Sequence, residues 1–273
     1  MGNINNFVSG SLNCSHYITE NPDPLSFNMH AHDVCELFVF LGGEAHYYVE
    51  GNIYPLKEND IMIMRQGETH KMQISPDCIY DRMTVHFSPN IIYESHLSEI
   101  LTPFYNRPLG RMNLYRKEDF ETDFYLACLE KLRICIDKKR DDQYIIAPLI
   151  ALLEEIFEAF EKRENSEYES EKGNLAVDMV DYINRHIFDD INLQKIAAHF
   201  FISSSQANRV FKKSVGSPIW EYVIIKRLMA AKDMIGKGMS ASSAAEKCGF
   251  ADYSSFYRAY RKRYGMNPKN DSD

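Results

Sequence analysis

No apolar run in this 273-residue chain is long enough to span a bilayer, and its opening residues, MGNINNFVSG, lack the basic and apolar regions of a signal peptide. These two absences exclude a helical membrane protein and predict a cytoplasmic one. Paired cysteine motifs are missing as well. Cys14, Cys35, Cys78, Cys128, Cys135 and Cys248 are scattered singly with no CxxC spacing, which suits free thiols in a reducing compartment. Basic charge is also scarce: 31 Lys and Arg against 39 Asp and Glu leave a net charge of −8, which argues against a nucleic-acid partner. That average hides a division. From Ile191 onward there are 14 basic and 6 acidic residues, a net of +8, so the remainder carries 17 against 33, a net of −16. One basic, polyanion-binding module joined to an acidic one of different purpose is the reading this asymmetry supports.

What is present fits two domains, since the chain exceeds one typical domain and is 45% hydrophobic. In the basic part, Gly249 breaks a short helix, and Asp252 stands where an N-cap belongs. Phe256, Ala259 and Tyr260 form the buried stripe of the next helix, while Ser254, Ser255, Arg258, Arg261 and Lys262 take its other face. A short helix, a tight turn and a second helix with a polar, basic face outline a helix-turn-helix.

The same outline occurs about fifty residues earlier. Leu193, Ile196, Ala197 and Phe200 mark a first helix capped by Asn192, and Ser203 with Gln206 opens a second that runs through Val215. In it Ala207, Val210 and Phe211 face inward, and Ser205, Asn208, Arg209 and Lys212 face out. Ile219 to Ile235 reads as one linking helix of about 25 Å, with Trp220 in its core.

The repeated arginines Arg209 and Arg258 can bond bidentately to guanine, and Asn208 could do the same for adenine. Lys212, Lys213, Arg261 and Lys262 suit phosphate contacts that set register. The tandem unit resembles the DNA-binding domain of AraC/XylS-type transcriptional regulators. The residues that carry the match include Arg209, Phe211, Lys212, Lys213, Gly216, Tyr222, Arg227, Leu228 and Ala231, then Gly249, Phe250, Asp252, Ser254, Phe256, Arg258, Lys262, Gly265 and Pro268. The resemblance implies base-facing positions at Ser205, Asn208 and Arg209 in the first unit, and at Tyr253, Ser254, Ser255 and Arg258 in the second. It also implies a regulator, more an activator than a repressor, that binds double-stranded DNA and contacts RNA polymerase.

Upstream, Leu25 to about Ser88 reads as short strands, among them Val34–Leu41, Ala45–Glu50, Ile61–Met64 and Ile79–Phe87, a pattern of sandwiches and barrels. His30, His32 and Glu36 share parity, so one extended strand would point them to the same face, and His70 could come alongside from another. Three imidazoles and a carboxylate suit a divalent transition metal. The alternative is that they hydrogen-bond one another or line an effector pocket. The segment resembles the cupin-type sensor that often precedes an AraC-type domain, on His30, His32, Glu36, Gly43, Gly51, Asp60, Gly67 and His70. Asn59 and Arg65 stand where that motif has a glycine and a proline. The resemblance implies a double-stranded β-helix barrel that senses a small molecule such as a sugar. It requires no cofactor, and no catalytic residue is assigned.

The expected fold is therefore α+β in two domains: a cupin-like barrel over residues 1–90 and a helical region over 91–162, then a linker over 163–174 and an all-α tandem helix-turn-helix domain over 175–273. Within 91–162, Phe120, Phe124, Ala127, Cys128, Leu132 and Cys135 show helical spacing, as do Ile145, Leu149, Leu152, Leu153, Ile156, Phe157 and Phe160. Such helices cap the barrel or pair with those of a second subunit, and the family resemblance favours a homodimer.

Overall fold

A computed structural model describes residues 4–8, 12–164 and 174–268. The chain divides into two compact units, 1–171 and 172–273. The first holds two sheets built from β1 (Ile4–Val8), β2 (Leu12–Glu20), β3 (Cys35–Gly42), β4 (Ala45–Val49), β5 (Asn52–Pro55), β6 (Asp60–Met64), β7 (His70–Ile74), β8 (Ile79–Phe87) and β9 (Leu114–Tyr115). One sheet has the order β1-β2-β8-β3-β6-β9 and the other β5-β4-β7, every pair antiparallel. Between β8 and β9 lie two short helices, α1 (Asn90–Glu94) and α2 (Thr102–Tyr105), and two long ones follow β9, α3 (Phe124–Asp137) and α4 (Asp142–Glu164).

Strand β3 explains the layering. Its alternate side chains Phe38 and Phe40 join Tyr47, Met62, Met64, Met72 and Tyr80 in a core shared by the two sheets. Leu37 and Val39, with Ile61, Ile63 and Val85, face a second core filled by α3 and α4. A strand covered on both faces has no polar side, which is why CELFVFLG shows no alternation. Asn59 takes the place of the motif glycine at φ +67°, a left-handed conformation that asparagine tolerates.

Three boundary expectations change. The helical region does not separate from the barrel at residue 90, because β9 returns from it to pair with β6 and α3 and α4 share one core with the large sheet. Two strands, β1 and β2, precede the predicted start of the sheet. The helix α4 reaches Glu164, and Arg163 is tied to Asp119 and to the Leu114 carbonyl; the rest of the expected linker, 165–173, lies outside the described residues. On α3 the buried face is Tyr125, Cys128, Leu129, Leu132, Cys135 and Ile136, while Phe124 is 53% exposed and Ala127 is on the surface. The apolar stripe was therefore read partly onto the wrong side. Its buried part is core within the chain.

Among the described residues the second unit has six helices: α5 (Leu175–Arg185), α6 (Leu193–His199), α7 (Ser204–Val215), α8 (Ile219–Gly236), α9 (Ala241–Lys247) and α10 (Tyr253–Tyr264). Each of the four helix-turn-helix helices has a side-chain cap. Asn192 accepts from the Lys195 N–H, Ser203 from Gln206, Ser240 from Ser243 and Asp252 from Ser255. Helices α7 and α10 both stop at a left-handed glycine, Gly216 and Gly265. Val223, Leu228, Ala231 and Ile235 of α8 are buried, as the periodicity predicts. Trp220 is not in the core: it is 49% exposed on α8.

Candidate functional site

Arg209 and Arg258 each stand six residues after the N-cap of their helix, Ser203 for α7 and Asp252 for α10, and both are exposed. Lys212 pairs with Arg261, and Lys213 with Lys262, by the same offset; all four are exposed in the last turns. Ser205, Tyr253 and Ser254 lie in the first turns and face solvent. The two units thus present an arginine and a basic end at matched places on short, capped helices.

Two sequence-predicted readers are spoken for. Asn208 is half-buried, and its Oδ1 accepts the Ile219 N–H at 3.0 Å, capping the start of α8. That bond uses one of the two lone pairs of Oδ1 and holds the side chain against the start of α8, so Asn208 braces the two helices. Its counterpart by offset, Tyr257, donates to Asn267 Oδ1 at 2.7 Å. In both units this position ties the second helix to the chain that follows it. Ser255 is also half-buried, donating its backbone N–H and its hydroxyl to Asp252, each at 2.8 Å.

What fixes one unit against the other is buried Arg227 of α8. Its guanidinium donates to the Ile187 and Asp189 carbonyls, both at 2.8 Å, and to the Gly249 carbonyl. The first two precede α6 and the third precedes α10, so one side chain spans both units. Gly249, at φ +75°, leaves the room: a Cβ there would sit 2.8 Å from the guanidinium carbon.

In the β-rich unit, His30, His32, His70 and Glu36 converge as expected, though not by strand parity. Only Glu36 belongs to β3; His30 forms an isolated bridge with His70, each donating its N–H to the other's carbonyl, at 3.0 and 2.8 Å. A fourth imidazole joins them. His86 of β8 is directly opposite Glu36 in the strand register. The Nε2 atoms of His70, His32 and His86 lie 3.0, 3.3 and 3.6 Å from Glu36 Oε2. The donor atoms of His30, His32 and His70 lie within 4.8 Å of one another, as do those of His32, Glu36 and His86.

The electrostatics follow from this crowding. Burial works to raise the Glu36 carboxyl, but the charge of the facing His70 and the close approach of His32, His70 and His86 outweigh it and hold it well below the usual range. Burial works to lower His70, and Glu36 reverses that. His30 goes the other way, lowered to about 3 by burial and then by the neighbouring His70. Carbonyl oxygens accept the Nδ1 protons of His30 and His70, from Asn28 and Glu68, both at 2.8 Å. With Nδ1 so occupied, Nε2 is the nitrogen each ring turns to a ligand.

Two family descriptions match the chain: an AraC-like ligand-binding domain over residues 14–174, more than half its length, and a helix-turn-helix domain over residues 196–271. The chain belongs to the AraC family. It is 36% identical over 88 residues to the probable transcriptional regulator LumQ of Photobacterium leiognathi, covering 32% of this chain and 36% of LumQ. It is 26% identical over 109 residues to the transcriptional activator RhaS of Escherichia coli O139:H28, covering 40% and 38%. These alignments span only about a third of each relative's length. Among solved structures, ToxT from Vibrio cholerae O395 is similar over 96% of this chain and 97% of that one, at 14% identity and a TM-score of 0.38. The DNA-binding domain of AdpA, solved with a target DNA, covers 36% of this chain and 89% of its own at 20% identity, with a TM-score of 0.34.

In this AraC-family chain, the residue that sequence reading missed is His86. The strand Ile79–Phe87 was legible, and His86 shares parity with the inward Tyr80, but only the pairing of β8 with β3 sets it opposite Glu36. Arg65, which replaces the motif proline, has a use for its N–H: it donates to Glu68 Oε2 at 3.1 Å, a bond proline could not make.

Proposed function

We propose that this AraC-family chain is a sequence-specific DNA-binding transcriptional regulator, an activator, whose N-terminal unit senses a ligand. The matched, exposed Arg209 and Arg258 on two capped helices, braced by one buried arginine, carry the reading. Arg209 and Arg258 read bases together with Ser205, Tyr253 and Ser254, while Lys212, Lys213, Arg261 and Lys262 hold phosphates. The linking helix α8 has 18 residues, about 27 Å, which suits two short DNA boxes one helical turn apart. The regulator works in the cytoplasm as a homodimer and contacts RNA polymerase. A duplex-shift titration tests the DNA reading. Arg209→Ala and Arg258→Ala should each weaken the cognate site by about 1–3 kcal/mol and relax one base pair, while Lys262→Ala weakens all sequences alike. Equal losses on cognate and random DNA for the arginine variants would refute the assignment of base readers.

For the ligand, a small molecule such as a sugar is one reading and a divalent transition metal the other. The donor set favours the metal. Nε2–Oε2 separations of 3.0–3.6 Å match the edges of a coordination shell with ligands about 2.0–2.2 Å from a central ion. Glu36 Oε2, His70 Nε2 and His86 Nε2 are buried, yet none makes an aligned hydrogen bond within the protein. His30, His32, His70 and Glu36 would hold the ion, and the bound ion would supply charge compensation for Glu36. Metal analysis of tag-free protein after reconstitution decides between the two: metal-free protein would leave the small-molecule reading.

A further inference from the structure

Resting on the DNA reading just given, we infer that Phe201 is a further DNA contact of the first unit, one that reads the methyl group of a thymine in the major groove. Each of the helices α6 to α10 runs into a residue in the left-handed conformation. Four of these are glycine: Gly216 after α7, Gly238 after α8, Gly249 after α9 and Gly265 after α10. After α6 it is Phe201, at φ +56°. The backbone bonds there match those of the second unit. Phe201 and Ile202 donate their N–H groups to the carbonyls of Ala198 and Ala197 at 3.1 and 3.0 Å, as Gly249 and Phe250 donate to Glu246 and Ala245 at 2.9 and 3.1 Å. A bulky side chain is strained in that conformation, where glycine is not. Nor does burial within the chain offset the strain, because Phe201 is 96% exposed. Its neighbours differ: Phe200 packs against Tyr182 and His199, and Ile202 is half-buried. One ring of the turn is thus held outward in a strained conformation and left almost wholly uncovered.

Its place says what covers it. Phe201 stands two residues before Ser203, the N-cap of α7, so its Cα lies within about 7 Å of the start of that helix. A recognition helix meets base edges with its N-terminal residues while the helix before it crosses the DNA backbone, which sets the turn between them at the rim of the groove. Ser205 and Arg209 follow, exposed on α7, so the ring extends the DNA-contacting stretch at its beginning. A phenyl ring makes no ordinary hydrogen bond. Among the base-edge groups of the major groove it matches the apolar one, the thymine methyl.

The test uses the full chain and a duplex selected from random sequence for tight binding. Copies of that duplex carry deoxyuridine in place of one thymine at a time, which removes one methyl group. At one thymine in the box where Arg209→Ala relaxes a base pair, the wild type should lose about fourfold in affinity, the worth of one buried methyl-sized group. Phe201→Gly should lose about as much on the unmodified duplex and nothing more when that methyl is gone. Its melting temperature should stay level or rise as the strain is relieved. A turn merely loosened by glycine would weaken every duplex alike and keep the methyl effect, which would overturn the inference. So would a Phe201→Gly protein that binds the unmodified duplex as tightly as the wild type; if it also lost transcriptional activation, the ring would belong to a protein partner instead. If the wild type selects no sequence, the DNA reading itself fails and this inference with it. Should Phe201→Gly not fold, Phe201→Asn replaces it, since asparagine tolerates the left-handed conformation.

Discussion

Glu36 and Glu68 are carboxylates sealed inside the same β-rich unit, and they are held in opposite ways. Glu68 meets Arg107, with both side chains wholly buried, in a bidentate pair at 2.6 and 2.7 Å. It also accepts from the Gly110 N–H at 2.8 Å, the Asn113 amide at 3.1 Å and the Arg65 N–H. The guanidinium is completed by the carbonyls of Pro103, Arg111 and Ile63. Glu36 instead faces three imidazole nitrogens, and its Oε2 makes no aligned hydrogen bond with them. One cluster is finished by the chain alone. The other leaves Glu36 Oε2 without an aligned partner, and on the metal reading proposed above an ion would complete it. The two are also connected: the Glu68 carbonyl accepts the His70 Nδ1 proton, so the finished cluster orients a donor of the unfinished one.

The largest effect that would break this contrast is on Arg107. Arg107→Ala strands a buried carboxylate and should cost about 3–5 kcal/mol in denaturant unfolding; a loss below about 1 kcal/mol would show the pair to be dispensable. Acid sharpens the point. Burial works to raise the Glu68 carboxyl, but the Arg107 charge and hydrogen bonds outweigh it and hold it below the usual range. Its stabilising share is therefore full above its unfolded-state value of about 4.3 and is lost as the pH falls through the lower folded value. In Arg107→Ala that share of the acid slope should vanish.

Next in size is the response to metal. An ion bound only by the native state at a hundred times its dissociation constant should stabilise the wild type by about 2.7 kcal/mol. Glu36→Gln should lose that protection, whereas Arg107→Ala, if folded, should keep part of it. Full metal protection in Glu36→Gln would remove Glu36 from the ligand set. The smallest effect is on the metal-free protein, where Glu36→Gln keeps the side chain's shape and breaks no aligned hydrogen bond at Oε2, so it should cost no more than about 1 kcal/mol. A cost equal to that of Arg107→Ala would erase the difference between the two carboxylates.

The tandem helix-turn-helix was legible almost residue by residue, because caps, left-handed glycines and buried stripes act over three or four residues. Asn192, Ser203, Asp252 and Gly249 do in the structure what their positions predict. Trp220 was misread, and the bond from Asn208 to α8 went unforeseen, because an outward or inward tendency along a helix does not say what the next helix offers. In the β-rich unit, His30, His32, Glu36 and His70 were found from residue type, although the parity argument was not the reason they meet.

Local pattern by itself determined the two-domain division, the position of each recognition helix and the candidate metal donors, since each depends on short-range periodicity or charge. Tertiary structure alone decided the rest. The register of β8 on β3 brought His86 to Glu36 across fifty residues of sequence. The return of β9 tied the helical region to the sheet, and the buried reach of Arg227 joined one helix-turn-helix to the other. Strand register and a long side chain's partners depend on which surfaces bury one another, and that is a property of the whole packed chain.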